Sequence, residues 1–147
     1  MSASSQGPSA HPLQVRLLEG RKILIVEDEA AIALNLSSAV QQAGGIPIGP
    51  AVSVAGAFAV MADHALDGAL LDIRLREETS FPLADVLAVL GIPFVFVSGL
   101  SSALMPYTHR DRPFFDKPYD VRNVIASLAR LMARPATPGA ASKSDPR

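Results

Sequence analysis

The chain has 147 residues, 49% hydrophobic and 18% charged, which fits one domain with a sizeable core. Its 13 basic and 14 acidic residues argue against a broad nucleic-acid-binding face, because such a face needs an excess of Lys and Arg. The absence of Cys excludes disulfides and thiolate metal sites, and we expect a cytoplasmic protein.

The ends of the chain differ in composition from its middle. Residues 1–20 are expected to form a flexible leader, with a short helix within 13–18, because residues 1–12 are rich in Ser, Pro and Ala. Residues 135–147 have the composition of a disordered tail, which leaves the ordered domain at 21–134. No stretch approaches the roughly 20 apolar residues of a membrane helix, so no membrane span is expected.

Short apolar runs in the middle of the chain predict strands that are buried on both faces. These runs are residues 23–26, 69–71, 94–97 and the shorter 114–115. Segments with helical spacing of apolar residues lie between and after them, at 30–43, 54–66, 83–90 and 121–132. This alternation predicts an α/β domain built from right-handed βαβ units around a parallel sheet.

Polar residues follow the predicted strands at the points where the strands end. Glu27 and Asp28, Asp72, Ser98 and Lys117 would meet at one edge of the sheet, where ligands of such sheets bind. Three carboxylates repel one another unless a cation compensates, and oxygen ligands of this kind suit Mg²⁺. Asp72 could then attack a phosphoryl donor, while Lys117 and Ser98 stabilise the transferred group.

Each of these residues also has a purely structural explanation. Acids at 27–29 could complement a helix dipole, and Asp28 could be an N-cap. Asp72, Ser98 and Lys117 could each belong to a turn or a loop. The order of the groups, after successive strands, favours the chemical interpretation over these alternatives.

The same segments resemble the receiver domain of two-component response regulators over residues 21–134. The matching segments are ILIVEDE at 23–29, LLDI at 70–73, VSG at 97–99 and FDKP at 115–118. The resemblance implies a flavodoxin-like, five-stranded parallel sheet flanked by five helices, (βα)5, in a single domain. It also implies a phosphoacceptor at Asp72 and an Mg²⁺ or Mn²⁺ site at Glu27, Asp28 and Asp72. Ser98 and Lys117 would contact the phosphoryl group, and the peptide bond between Lys117 and Pro118 would be cis.

Two stretches depart from the usual receiver pattern. Residues 72–82 lack the Met-Pro turn that commonly follows the acceptor, and with residues 91–99 they are similar to the stand-alone bacterial subgroup called FAT GUY. That subgroup is named after a Phe-Ala-Thr-Gly motif, and here Val97-Ser98 replaces Ala-Thr. Pro106 would end a helix begun at Ser101, so we expect the fourth helix to be short or irregular.

Several other residues have two interpretations. Phe114 stands where many receivers carry a switch aromatic that turns inward when Ser98 moves, and it could equally be a core residue. Arg74 could cover the phosphoryl group or be a solvated loop charge. The histidines have no spaced partners that suggest a metal or relay site, so a structural or solvated role is expected for all three, which are His11, His64 and His109.

The resemblance implies a phosphoacceptor signalling protein rather than an enzyme, with autophosphorylation from small phosphodonors and slow self-dephosphorylation. A histidine kinase or phosphotransfer protein would supply the phosphate, and a downstream protein would bind the switched surface. No DNA-binding domain and no membrane association are expected, and a homodimer is left open.

The alternatives to this signalling function are a phosphate shuttle or sink in a phosphorelay and a phosphorylation-independent adaptor. An Mg²⁺-dependent phosphatase would carry Asp-x-Asp after the first strand, which residues 27–29 do not supply.

Overall fold

The computed structural model describes residues 17–98 and 105–133. Five parallel strands form the main sheet, and they are β1 (Lys22–Val26), β2 (Ile46–Ala51), β3 (Gly68–Asp72), β6 (Phe94–Ser98) and β7 (Phe114–Asp116). Their order in the sheet is β2-β1-β3-β6-β7, the flavodoxin-like order that the resemblance implies. Two further strands, β4 (Arg74–Leu75) and β5 (Glu78–Thr79), form a separate antiparallel hairpin.

Helices cover both faces of this sheet. They are α1 (Ala30–Gln42), α2 (Val54–Asp63), α3 (Phe81–Leu90) and α4 (Val121–Ala133), and a 3-10 turn lies at Tyr107–His109. No helix within the described ranges is long and apolar enough to cross a membrane. Several predicted regions lie outside the described residues. They are the leader before residue 17 with most of the predicted short helix, residues 99–104 of the expected fourth-helix region, and the tail at 135–147 together with residue 134.

The central strands are apolar along their whole length because both of their faces are covered. In β1, Leu24 and Val26 face the core beneath α2 and α3, whereas Ile23 and Ile25 face the core beneath α1 and α4. Every residue of β3 and β6 is buried. The two-sided burial predicted from the apolar runs is therefore confirmed for β1, β3 and β6.

The sequence reasoning did not locate β2, which follows α1. Its sequence, IPIGPA, has no continuous apolar run, and Pro47 and Pro50 interrupt any strand pattern. A strand can tolerate prolines at the edge of a sheet, and β2 pairs only with β1. The chain also makes a cis peptide bond between Gly49 and Pro50.

Several boundaries differ from the sequence-based prediction, and three of the differences have a clear cause or consequence. Helix α3 begins at Phe81 rather than residue 83, because Pro82 is favoured in the first turn of a helix. Helix α2 ends at Asp63 rather than residue 66, since the next residues return the chain to the sheet, where Asp67 accepts a hydrogen bond from the Lys22 N–H over 2.8 Å. Leu18, within the predicted leader, is fully buried in the core beneath α1 and α4.

The 3-10 turn packs on the sheet through a buried histidine. His109 is only 2% exposed, and its ring contacts Phe81, Phe94 and Phe96. His109 Nε2 lies 2.7 Å from Asp85 Oδ1 on α3. His109 therefore fixes this turn against α3, which is a structural role, while His64 is exposed directly after α2.

Candidate functional site

The acids predicted from the sequence meet at the carboxyl edge of the sheet. Glu27 and Asp28 directly follow β1, Asp72 ends β3, and these two strands are parallel neighbours. One carboxylate oxygen of each residue lies within 4.8 Å of the other two. Glu27 and Asp72 are buried, whereas the side chain of Asp28 is 20% exposed and faces the cleft above the sheet.

Lys117 brings one positive charge into this cluster. Its Nζ lies 3.3 Å from Glu27 Oε1 and 3.4 Å from Asp72 Oδ2. The Lys117–Pro118 peptide bond is cis, as the sequence analysis predicted. The backbone N–H of Lys117 donates a hydrogen bond to the Ser98 carbonyl oxygen over 3.0 Å, so the ends of β6 and β7 are joined at the site.

The close approach of these charges changes their proton affinities. Burial, followed by the hydrogen bond and the negative charge of Asp72, raises the pKa of Glu27 from 4.5 to about 7. Burial acts against the charged form of Lys117, but Asp72 and Glu27 outweigh it and raise the pKa of the ammonium group. Burial, Glu27 and Asp72 also raise the pKa of the Tyr119 phenol, to about 12.

The donor set fits a divalent cation such as Mg²⁺. All three candidate ligands are carboxylates, and one ammonium group leaves the cluster with excess negative charge if all three are ionised. Glu27 Oε1 is buried and accepts no hydrogen bond from any described residue, although Lys117 Nζ lies near it. A buried carboxylate oxygen without a hydrogen-bond donor is well suited to a cation ligand.

The remaining predicted residues lie on the strands beside the acids. Ser98 is buried at the end of β6 and lines the same cleft, which has a volume of about 350 Å³. Phe114 is half-buried at the start of β7, in register with Phe96, and packs against the core beneath α2 and α3. That position suits a core residue and a switch residue equally well.

Sequence reasoning missed two charged residues of this site. Glu29 Oε1 lies 3.8 Å from Lys117 Nζ, and Arg76 Nε lies 3.9 Å from Asp28 Oδ2. Arg76 belongs to the hairpin after Asp72, a polar stretch in which no apolar pattern indicates strands. The exposed Arg74 also lines the cleft but has no ion pair within the described parts of the chain. The cleft is lined by Asp28, Glu29, Asp72, Arg74, Arg76, Ser98 and Lys117.

Comparisons with known proteins identify similar solved structures. No protein-family model and no curated protein match the sequence. The solution structure of SdrG from Sphingomonas melonis Fr1 is 38% identical, with a TM-score of 0.67, and the match covers 79% of this chain and 97% of SdrG. The BeF₃-activated conformation of SdrG from Pseudomonas melonis Fr1 is 42% identical, with a TM-score of 0.64, and the match covers 76% of this chain and 96% of that one.

A third similar structure shares the fold at lower identity. It is a response regulator receiver protein from Sinorhizobium medicae WSM419, 24% identical, with a TM-score of 0.67. The match covers 78% of this chain and 95% of that protein. The match to SdrG, at 38% identity, therefore extends over nearly the whole length of SdrG. The third structure supports the same fold.

Proposed function

Because this chain belongs to the receiver domains of response regulators, we propose that it is a single-domain regulator switched by phosphorylation of Asp72. The observation that carries this proposal is the setting of the Asp72 carboxylate. It lies at the cleft, within 4.8 Å of Glu27 and Asp28 oxygens and 3.4 Å from Lys117 Nζ. A nucleophilic carboxylate, candidate cation ligands and an ammonium group are therefore present together.

The proposed step is transfer of a phosphoryl group to an Asp72 carboxylate oxygen. The oxygen forms a bond to phosphorus while the bond from phosphorus to the donor breaks, and the donor atom leaves with the electron pair. The donor would be the phosphohistidine of a histidine kinase or phosphotransfer protein, or a small acyl phosphate. Lys117 would hold the negative charge of the transferred group, and the Ser98 hydroxyl would donate a hydrogen bond to it.

The acidic residues give this reaction its dependence on a metal ion. Glu27, Asp28 and Asp72 would hold Mg²⁺ or Mn²⁺, which, when bound, offsets the charge of the phosphoryl oxygens. The protein's own contribution is to hold the Asp72 carboxylate at the cleft beside a positive charge. Lys117 supplies that charge, since its Nζ lies 3.4 Å from Asp72 Oδ2.

The relative solved in a BeF₃-activated conformation supports this proposal. BeF₃ bonded to a carboxylate oxygen has the tetrahedral shape of a phosphoryl group, so its effect on that protein is the effect expected of an aspartyl phosphate. This chain is 42% identical to that relative over 96% of the relative's length. We infer that Asp72 phosphorylation has the corresponding effect here.

The output of the switch would be a contact with another protein. Phosphorylation replaces the charge of the Asp72 carboxylate with nearly two negative charges on the phosphoryl group, a net gain of about one, and Ser98 and Lys117 close around those charges only if the ends of β6 and β7 shift. The surface around these strand ends would then bind a downstream partner, and Phe114 at the start of β7 would move with it. In this proposal the chain is a phosphoacceptor and not an enzyme that acts on another substrate. Return of the phosphate to a second histidine protein would instead make it a shuttle or sink.

Incubation with acetyl phosphate and Mg²⁺, read by intact mass, tests the proposal. We expect one phosphate adduct on the wild-type chain and none on Asp72→Asn. Asp116→Asn is a matched control, because Asp116 also ends a strand of the sheet but is exposed. The adduct should persist in that variant and disappear when EDTA replaces Mg²⁺.

Two results would count against the proposal. An adduct on Asp72→Asn of the same yield as on the wild-type chain would place the acceptor at another residue. No adduct on the wild-type chain, combined with no measurable Mg²⁺ binding, would favour a phosphorylation-independent adaptor.

A further inference from the structure

The hairpin that follows the acceptor residue places a cation beside a candidate metal ligand. Arg76 Nε lies 3.9 Å from Asp28 Oδ2, and the Arg76 side chain is 72% exposed. Arg74, on the same hairpin, also lines the cleft but has no ion pair within the described parts of the chain. Two arginines of the same hairpin therefore differ in their contact with a carboxylate of the site.

The backbone at Arg76 is unfavourable for any residue except glycine, asparagine or aspartate. Its φ is 58°, in the left-handed region. Arg76 and Glu77 form the two-residue turn between the paired residues Leu75 and Glu78, a turn in which glycine commonly occupies the position of positive φ. A strained residue beside a functional site points to a role for its side chain.

Contacts on three sides fix the hairpin in place. Leu75 is 1% exposed and belongs to the core beneath α2 and α3. The Ser80 N–H donates to the Ile73 carbonyl oxygen over 2.8 Å, which closes the base of the hairpin. The backbone N–H of Val54, the first residue of α2, donates to Glu78 Oε2 over 3.0 Å. The hairpin therefore holds the backbone of Arg76 at a set position, from which its side chain reaches Asp28.

We propose that Arg76 is a positioning residue that neutralises Asp28 in the metal-free protein and competes with the incoming divalent cation. This inference rests on the proposed function, because it takes Asp28 as a ligand of that cation. A cation that binds Asp28 must displace the guanidinium group, so the Arg76–Asp28 pair weakens the apparent affinity. Exposed ion pairs of this kind change an equilibrium by about two- to five-fold.

Binding of Mn²⁺, measured by electron paramagnetic resonance with Mg²⁺ as competitor, tests this inference without reference to phosphorylation. We expect Arg76→Gln to lower the Kd for Mn²⁺ by about two- to five-fold relative to the wild-type chain. Arg74→Gln removes the same charge from the same cleft and should lower the Kd less. Arg76→Lys keeps the charge and should bind Mn²⁺ with nearly the wild-type Kd.

The dependence on salt supplies a second readout. The gain from Arg76→Gln should shrink as the ionic strength rises, because screening weakens the ion pair that the substitution removes. Far-UV circular dichroism of each variant establishes that it folds.

The outcomes separate this inference from the proposed function. If the wild-type chain binds Mn²⁺ and Arg76→Gln gives the same Kd as Arg74→Gln, the competition by Arg76 is refuted and the metal site stands. If none of the four proteins binds Mn²⁺, both proposals are refuted. A lower Kd in Arg76→Gln alone, lost at high salt and restored to the wild-type value by Arg76→Lys, supports the inference.

Discussion

The acidic cluster should make the metal-free protein less stable as the pH rises, and Asp72→Asn should relieve this effect. The pKa of Glu27 is raised to about 7 in the folded protein, against an ordinary value of 4.5. The folded state therefore binds this proton more tightly than the unfolded state. As a result, the contribution of Glu27 to the free energy of unfolding falls as the pH rises from 4.5 to about 7.

The size of the effect follows from the difference between the folded and unfolded pKa values of Glu27. A tenfold change in proton affinity corresponds to about 1.4 kcal/mol, so a rise in the pKa from 4.5 to about 7 corresponds to about 3 kcal/mol. Burial is the largest cause, and the hydrogen bond and negative charge of Asp72 are the next two. Asp72→Asn removes that charge and can donate a hydrogen bond to ionised Glu27. The variant also loses the 3.4 Å contact with Lys117 at every pH, so the change with pH is the test. We expect the stability of the variant relative to the wild-type chain to rise by about 1 kcal/mol between pH 5 and pH 8 in EDTA.

Urea unfolding followed by circular dichroism at half-unit steps from pH 5 to pH 8, in EDTA, measures this difference. The two proteins differ only at residue 72, so the difference between the two stability curves isolates the acidic cluster. Added Mg²⁺ should raise the stability of the wild-type chain at pH 8 more than that of Asp72→Asn. A stability difference between the two proteins that stays constant from pH 5 to pH 8, or that moves in favour of the wild-type chain, would refute this explanation.

Three further substitutions test other parts of the structure. Lys117→Ala removes the ammonium group beside Glu27 and Asp72. In urea unfolding at pH 8 in EDTA, the free energy of unfolding should fall by about 3 kcal/mol, and Mg²⁺ should partly restore it. An unchanged unfolding midpoint would contradict the ion pairing. Gly49→Ala should lower the free energy of unfolding by more than about 1 kcal/mol in the same assay, because the new Cβ would lie 2.8 Å from the Ala51 nitrogen at a φ of 101°. Gly20→Ala is the control and should cost less, since Gly20 is exposed and also has a positive φ but has open space around it. Asp85→Ala deprives buried His109 of its hydrogen-bond partner and should lower the free energy of unfolding by about 1 kcal/mol at pH 8, whereas a variant as stable as the wild-type chain would show that the contact is not stabilising.

The sequence predicted the parts of the fold that have a simple hydrophobic period. Strands β1, β3 and β6 are covered on both faces, so their residues form apolar runs that stand out in the sequence. Strand β2 could not be located in this way, because an edge strand with two prolines has neither a continuous run nor a strict alternation. The β4–β5 hairpin was also missed, since two-residue strands are too short to show a period.

The candidate site was predictable to the extent that topology determines it. Residues that follow parallel strands meet at one edge of the sheet, so Glu27, Asp28 and Asp72 could be placed together without knowing a single distance. The contact between Arg76 and Asp28 depends instead on the exact turn of a short hairpin, which the sequence does not specify. The roles assigned to Ser98 and Phe114 stay predictions.

The hydrogen bond from the Lys117 N–H to the Ser98 carbonyl oxygen has a mechanical consequence. It joins the backbones of the two residues whose hydroxyl and ammonium groups would meet a phosphoryl group, so a backbone shift of either residue toward Asp72 would pull the other. Strand β7, which leads into Lys117, is three residues long and forms the outer edge of the sheet. A displacement of Ser98 at the end of β6 would therefore also displace β7, the short strand at the edge of the sheet. A protein bound at that edge could sense the movement.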